Sequence, residues 1–216
     1  MKVSLYFLNK ELFFPPVINA HEDGLLAIGG DLSPERLLLA YESGIFPWFN
    51  EGSQILWWSP NPRMVLIPEE VKISKSMRKV LKGNSFSITK NQCFRDVLIN
   101  CATAKREGQE GTWITTAMIN AYVKLHKLGK AVSYEVWENK ELVGGLYGID
   151  LGTVFCGESM FSTRSNASKF AFIKMAQELE EKGYKLIDCQ MYTPHLESLG
   201  AREIPRDDFI SVLKEK

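Results

Sequence analysis

A chain of 216 residues, 45% hydrophobic and 24% charged, has ordinary soluble globular composition and is long enough for one large or two small domains. Lys+Arg and Asp+Glu number 26 each, so the net charge is zero; overall charge attracts no polyanion, and any nucleic-acid contact has to come from a local patch. No apolar run approaches a membrane span, and the start, Met1-Lys2-Val3-Ser4-Leu5-Tyr6, lacks a secretory cleavage pattern, so a cytoplasmic protein without a membrane partner is expected.

The first sixty residues are dense in Pro, Gly and aromatics. Asp31-Leu32-Ser33-Pro34-Glu35 opens a helix, with Ser33 as N-cap, Pro34 at the first helical position, Leu37, Leu38 and Tyr41 along one face, and Gly44 as the stop. Trp48, Trp57 and Trp58 follow in segments broken by prolines, where their rings either cement a small domain or line a pocket. From Pro62 onward strands and helices alternate. Strands are predicted over Arg63 to Ile67, Phe86 to Thr89 and Leu186 to Gln190. Helices are predicted over Ser74 to Lys82, Gln92 to Ala102, Thr116 (as cap) to Leu128, Asn166 to Gly183, and from near Arg206. Ala131 to Trp137 and Leu142 to Ile149 read as a hairpin about Glu138-Asn139-Lys140-Glu141, and Asp150-Leu151-Gly152 turns into a strand from Thr153 to Met160.

Two strand ends carry acids. Side chains alternate along a strand, so Asp188 and Gln190 should share one face, with Ile187 and Cys189 on the other. By the same parity Cys156, Glu158 and Met160 should share a face. Carboxylates are seldom buried without a partner, and an acid beside an amide at a strand end marks a candidate reaction site. Between Val71 and Arg95 lie seven basic residues and no acid, so the remainder of the chain carries minus seven. Lys75, Arg78, Lys79 and Lys82 recur at helical spacing on one face, a solvated surface or a phosphate-backbone site. The cysteines Cys93, Cys101, Cys156 and Cys189 form no C-x-x-C, and the histidines are His21, His126 and His195 alone; this spacing disfavours a metal site and favours buried reduced thiols.

The strings Asp23-Gly24-Leu25-Leu26-Ala27-Ile28-Gly29-Gly30-Asp31-Leu32-Ser33-Pro34, Gly44-Ile45-Phe46-Pro47-Trp48-Phe49, Leu56-Trp57-Trp58-Ser59-Pro60, Glu110-Gly111-Thr112-Trp113-Ile114, Phe155-Cys156-Gly157-Glu158-Ser159-Met160-Phe161-Ser162, Asn166-Ala167-Ser168-Lys169 and Leu186-Ile187-Asp188-Cys189-Gln190 together closely resemble the bacterial leucyl/phenylalanyl-tRNA protein transferases. The resemblance runs from about Phe14 to Phe209. It implies an α/β (α+β) fold: a small N-terminal domain over 1–62 and a catalytic domain over 63–216 with the N-acetyltransferase-like (GNAT) fold and a mixed central sheet. The implied activity moves Leu or Phe, and less well Met, from aminoacyl-tRNA onto proteins beginning with Arg or Lys, marking them for degradation, with no metal and no organic cofactor. It maps the amino-acid pocket to Trp48, Trp113, Leu146, Phe155 and Met160, and the catalytic group to Glu158, Asp188 and Gln190. The basic helix then supplies the tRNA surface. The resemblance has Asp188 polarise Gln190 so that the amide takes a proton from the attacking amine. An amide is a very poor base, so Gln190 is read instead as orienting the amine, with Asp188 holding it and stabilising the ammonium.

Three rivals differ in chemistry. An acetyl-CoA N-acetyltransferase needs a glycine-rich loop at a helix start, and Ser165-Asn166-Ala167-Ser168-Lys169 has none. A thiol acyltransferase would use Cys156 or Cys189 with His195. A non-catalytic RNA-binding module would leave the paired carboxylates and the apolar pocket unexplained.

Overall fold

The computed structural model describes residues 5–104 and 112–215. Glu110 and Gly111 of the Glu110-to-Ile114 motif lie outside them. The first part of the chain runs β1 (Tyr6–Leu8), β2 (Leu25–Gly29), α1 (Pro34–Glu42), β3 (Phe46–Pro47) and β4 (Leu56–Trp58). Its strands form a four-stranded sheet in the order β1-β2-β4-β3. As expected, α1 is capped by Ser33, whose hydroxyl accepts from the Arg36 amide, and has Pro34 in its first turn. The chain then turns at Gly44, whose φ of 73° is left-handed; a Cβ there would stand 2.3 Å from Ile210. The four short strands went unread in the sequence, because prolines and glycines break the period-two pattern.

The rest of the chain runs β5 (Arg63–Leu66), α2 (Lys75–Lys82), β6 (Ser87–Lys90), α3 (Phe94–Thr103), α4 (Thr116–Lys127), β7 (Ala131–Glu138), β8 (Glu141–Asp150), β9 (Val154–Ser162), α5 (Ala167–Glu181), β10 (Leu186–Gln190), α6 (Pro194–Ser198), β11 (Arg202–Ile204) and α7 (Arg206–Lys214). It builds a mixed seven-stranded sheet in the order β11-β5-β10-β9-β8-β7-β6. Here β9 and β10 pair in parallel, joined by the crossover helix α5 that a parallel pair requires. The β7–β8 hairpin turns on Asn139 and Lys140, with φ of 50° and 68°, the double left-handed geometry that matches strand twist. α4 is capped one residue earlier than predicted: the Thr115 hydroxyl, not that of Thr116, accepts from the Met118 amide.

Two apolar clusters cover the two faces of this sheet. One holds Tyr41, Trp57, Tyr122, Cys156, Phe161 and Phe209; the other, under α5, holds Leu146, Phe155, Phe170, Phe172 and Ile187. Trp57 has no exposed surface and its Nε1 donates to the Gly29 carbonyl at 2.9 Å, so this ring is cement. Truncating a ring so placed costs about 3–5 kcal/mol. Among the described residues no helix is long and apolar enough to cross a membrane.

Candidate active site

Strict alternation fails at both acidic strand ends, and the failures shape the site. β9 bulges at Glu158: Ser159 lies opposite Tyr147 and Gly157 opposite Gly148, which leaves Glu158 as the extra residue. Alternation therefore resets, and Met160 packs with the α5 cluster while Cys156 and Phe161 pack in the other. This corrects the expectation that Cys156, Glu158 and Met160 share a face. On β10, Gln190 has a φ of 64° and the pairing with β5 shifts between Asp188 and Gln190. The parallel pairing of β9 and β10 covers Leu186–Asp188 against Val154–Cys156 and stops there. Past that point a cleft opens between them, with about 90 Å³ of its own volume.

The inner wall of the cleft is apolar. Leu146, Phe155, Met160, Phe172, Met175, Ile187 and Leu196 line it, so three of the five expected pocket residues are brought together. Trp48 and Trp113 line an adjoining outer cleft with Pro47, Met191 and Thr193. Trp48 is 36% exposed, its ring 5.5 Å from that of Trp58, whose Nε1 donates to the Trp48 carbonyl at 2.7 Å. Glu158, Cys189, Gln190 and Leu196 border both spaces.

Asp188 and Glu158 have different partners. Asp188 has no exposed surface. Arg63 Nε donates to its Oδ1 at 2.8 Å and Nη2 to its Oδ2 at 2.7 Å, a forked pair, and the Gln190 amide donates to Oδ1 at 2.9 Å. Arg63 is itself set against the rings of Phe46 and Phe209, at 4.9 and 4.7 Å, and donates to the Gly44 carbonyl at 3.1 Å. The negative charge of Asp188 is thus answered inside the protein. The expectation that it stabilises an incoming ammonium does not fit this geometry; it fixes the backbone that aims Gln190. Glu158 is 9% exposed and forms no ion pair among the described residues. Tyr41 donates to its Oε1 at 2.7 Å, Gln190 Nε2 to the same oxygen at 2.7 Å, and Tyr122 to Oε2 at 3.0 Å. Burial pushes its carboxyl up to about 7 against the pull of these three donors, and the neighbouring Asp188 charge adds to the rise.

Arg63, Tyr41 and Tyr122 are not among the site residues expected from the sequence, where Arg63 and Tyr41 figure only as parts of a strand and a helix. Tyr41 and Tyr122 lie on the buried faces of α1 and α4, indistinguishable by period from packing residues. The available signal was chemical: a buried phenol needs a partner for its hydroxyl. The thiol rival loses its nucleophile, since burial raises both the Cys156 and Cys189 thiols and keeps them protonated. Burial and Lys169 pull His195 down; it lines a further cleft with Trp113, Glu158 and Met160. On α2, Lys75, Arg78, Lys79 and Lys82 are all exposed, and none makes an ion pair among the described residues. Met77 anchors the opposite face of the helix. Lys90, by contrast, is held by Glu178 at 2.8 Å, so the run free of acids in sequence is not free of them in space.

A buried carboxyl raised toward neutrality with an amide hydrogen-bonded to it, beside an apolar cleft, is the kind of site at which an enzyme handles an apolar group. The profile of the family described as leucyl/phenylalanyl-tRNA protein transferase matches residues 65–214, and that of its N-terminal domain residues 30–61. The chain is 64% identical over 212 residues to the leucyl/phenylalanyl-tRNA protein transferase of Flavobacterium johnsoniae, covering 98% of this chain and all of that one. It is 61% identical to that of Christiangramia forsetii, covering 97% and 100%, and 54% identical to that of Syntrophobacter fumaroxidans, covering 98% and 90%. The chain therefore belongs to the leucyl/phenylalanyl-tRNA protein transferase family and is a transferase. Among solved structures, a GCN5-related N-acetyltransferase from Kribbella flavida is similar at 10% identity, covering 82% of this chain and 63% of that one, with a TM-score of 0.39. A likeness at that level says nothing about activity.

Proposed function

We propose that the protein moves Leu or Phe, and less well Met, from aminoacyl-tRNA to the α-amine of proteins beginning with Arg or Lys, and so marks them for degradation in the cytoplasm. The observation that carries this reading is the largely apolar cleft between β9 and β10, bordered by Glu158 and Gln190 where it meets the outer cleft. An unbranched-at-Cβ apolar side chain fills such a cavity and leaves its ester at the mouth. The terminal nucleoside then lies outward, against Trp48 and Trp113. The exposed cations of α2, namely Lys75, Arg78, Lys79 and Lys82, serve the phosphates of the acceptor arm, since backbone contacts give affinity without restricting which tRNA binds. In this reading residues 1–62 form a small domain that closes the site from one side, and 63–216 form the catalytic domain.

The ester is already activated, so positioning carries much of the rate; holding two reactants in register is worth about 7–11 kcal/mol. Arg63 and Asp188 fix the turn at Gln190, and Gln190 points its amide at the same carboxylate that the amine must approach. Incubation with Leu-tRNA and a peptide beginning with Arg should yield peptide heavier by one leucyl residue. A peptide beginning with Asp should remain unmodified, and an unmodified Arg peptide contradicts the reading.

A further inference from the structure

Peptide-bond formation from an ester moves one proton. As the amine nitrogen bonds to the ester carbon an N–H has to reach a base, and as the carbon–oxygen bond breaks the ribose oxygen has to gain a proton. Gln190 is a neutral amide whose Nε2 already donates to Glu158. Both oxygens of Asp188 are taken by Arg63. The carboxylate that remains at the mouth is Glu158.

Glu158 belongs to a ring. Tyr41 bonds its Oε1, Tyr122 bonds its Oε2, and the two phenols bond each other. With Glu158 ionised, the ring has two protons for three contacts, so one buried contact lacks a hydrogen. One added proton fills all three: Oε2 donates to Tyr122, Tyr122 to Tyr41, and Tyr41 to Oε1, which keeps its bond from Gln190. The ring can therefore take a proton at Glu158 with every buried contact kept, while Tyr41 and Tyr122, as donors to the carboxylate, hold its pKa below where burial alone would put it.

We propose that Tyr41, Tyr122 and Glu158 form one proton-accepting unit, in which Glu158 is the catalytic base that touches the amine and the two tyrosines are positioning residues that set its readiness to be protonated. The proposal rests on the aminoacyl-transfer reading. The neutral amine adds to the ester carbon, the C–N bond forms and the carbonyl pair moves onto oxygen. An N–H proton passes to Glu158. Collapse breaks the bond to the ribose oxygen, which takes that proton back, so the ring ends as it began. The groups that face Glu158 are Tyr41 from α1, Tyr122 from α4, Cys156 on its own strand, Asp188 and Gln190 from β10 and Arg63 from β5; Tyr147 of β8 packs on Tyr122, and His195 of α6 lines a further cleft with Glu158. A carboxyl raised to about 7 is matched to an α-amine of about 7.7–8.0.

The test is the pH profile of kcat/KM for transfer of Leu to an Arg peptide by wild type, Tyr41→Phe and Tyr122→Phe. Each variant removes a donor to the carboxylate, which raises its pKa, so the acid limb should move up by about one pH unit. That is a loss of roughly ten-fold near pH 6, shrinking as pH rises, with KM for Leu-tRNA unmoved. An acid limb that stays in place, or a loss equal at every pH, overturns the proposal. If the variants do not fold, the infrared carboxyl band of wild type against Glu158→Gln decides: titration near pH 7 supports the ring, and titration below about pH 5 overturns it. A wild-type protein that transfers nothing to the Arg peptide defeats the aminoacyl-transfer reading instead, and the infrared titration still decides the ring.

Discussion

At the scale of single residues, the site holds two buried acids with opposite fates. Asp188 is forked by Arg63, and each side chain is 1% exposed. Such a pair contributes little net stability, yet losing one partner costs about 3–5 kcal/mol, so its use here is to hold one geometry. Glu158 has three donors and, among the described residues, no ion pair, and its carboxyl rises from the usual 4.5 to about 7. A carboxyl raised on folding stabilises the fold fully below its unfolded pKa, and that contribution is lost as pH rises through the folded pKa. Glu158→Gln carries no charge to bury, and its amide can fill the ring as the protonated acid does. At pH 8 the variant should therefore be more stable than wild type by up to about 3 kcal/mol, with the advantage fading toward pH 5, while transfer is largely lost. Denaturant unfolding at the two pH values checks this; a variant that is less stable at pH 8 contradicts the desolvated-carboxylate account.

At the scale of elements, helices and long strands were legible because period and caps agreed: Ser33 and Pro34 at α1, and Asn139-Lys140 in the hairpin. What alternation could not show was where it breaks. The bulge at Glu158 and the left-handed Gln190 depend on pairing partners distant in sequence, and a parity argument applied through them puts Met160 on the wrong face. The basic run was legible as charge, but its pairing was not: Lys90 finds Glu178, eighty-eight residues away, while the α2 cations stay exposed. That difference makes α2 the part to alter. Reversing Lys75, Arg78 and Lys82 to Glu should raise KM for Leu-tRNA and Phe-tRNA alike and flatten the salt dependence of both, since each lost phosphate contact lowers the slope by about one. Kinetics at two salt concentrations checks it, and an unchanged slope places the tRNA elsewhere.

At the scale of the whole molecule, the site is assembled across the two sheets. Tyr41 comes from α1, the Gly44 carbonyl and the Phe46 ring from the segment after it, and Phe209 from the last helix; all four reach Glu158 or Arg63. The fold class and the pair of acidic strands could be read along the chain. These contacts could not, because each joins residues distant in sequence, some of them on faces that look like ordinary core. The central claim is that one largely apolar cleft selects the amino acid that is moved. The direct measurement is a competition: equal Leu-tRNA, Phe-tRNA and Val-tRNA with one Arg peptide, products resolved by mass. A cavity of this kind separates side chains that differ by a methylene or a β-branch by about 1–3 kcal/mol, so leucyl and phenylalanyl peptides should dominate and the valyl product should fall ten-fold or more below them, roughly as that difference dictates. Equal yields of all three, or a valyl product in excess, would contradict the account.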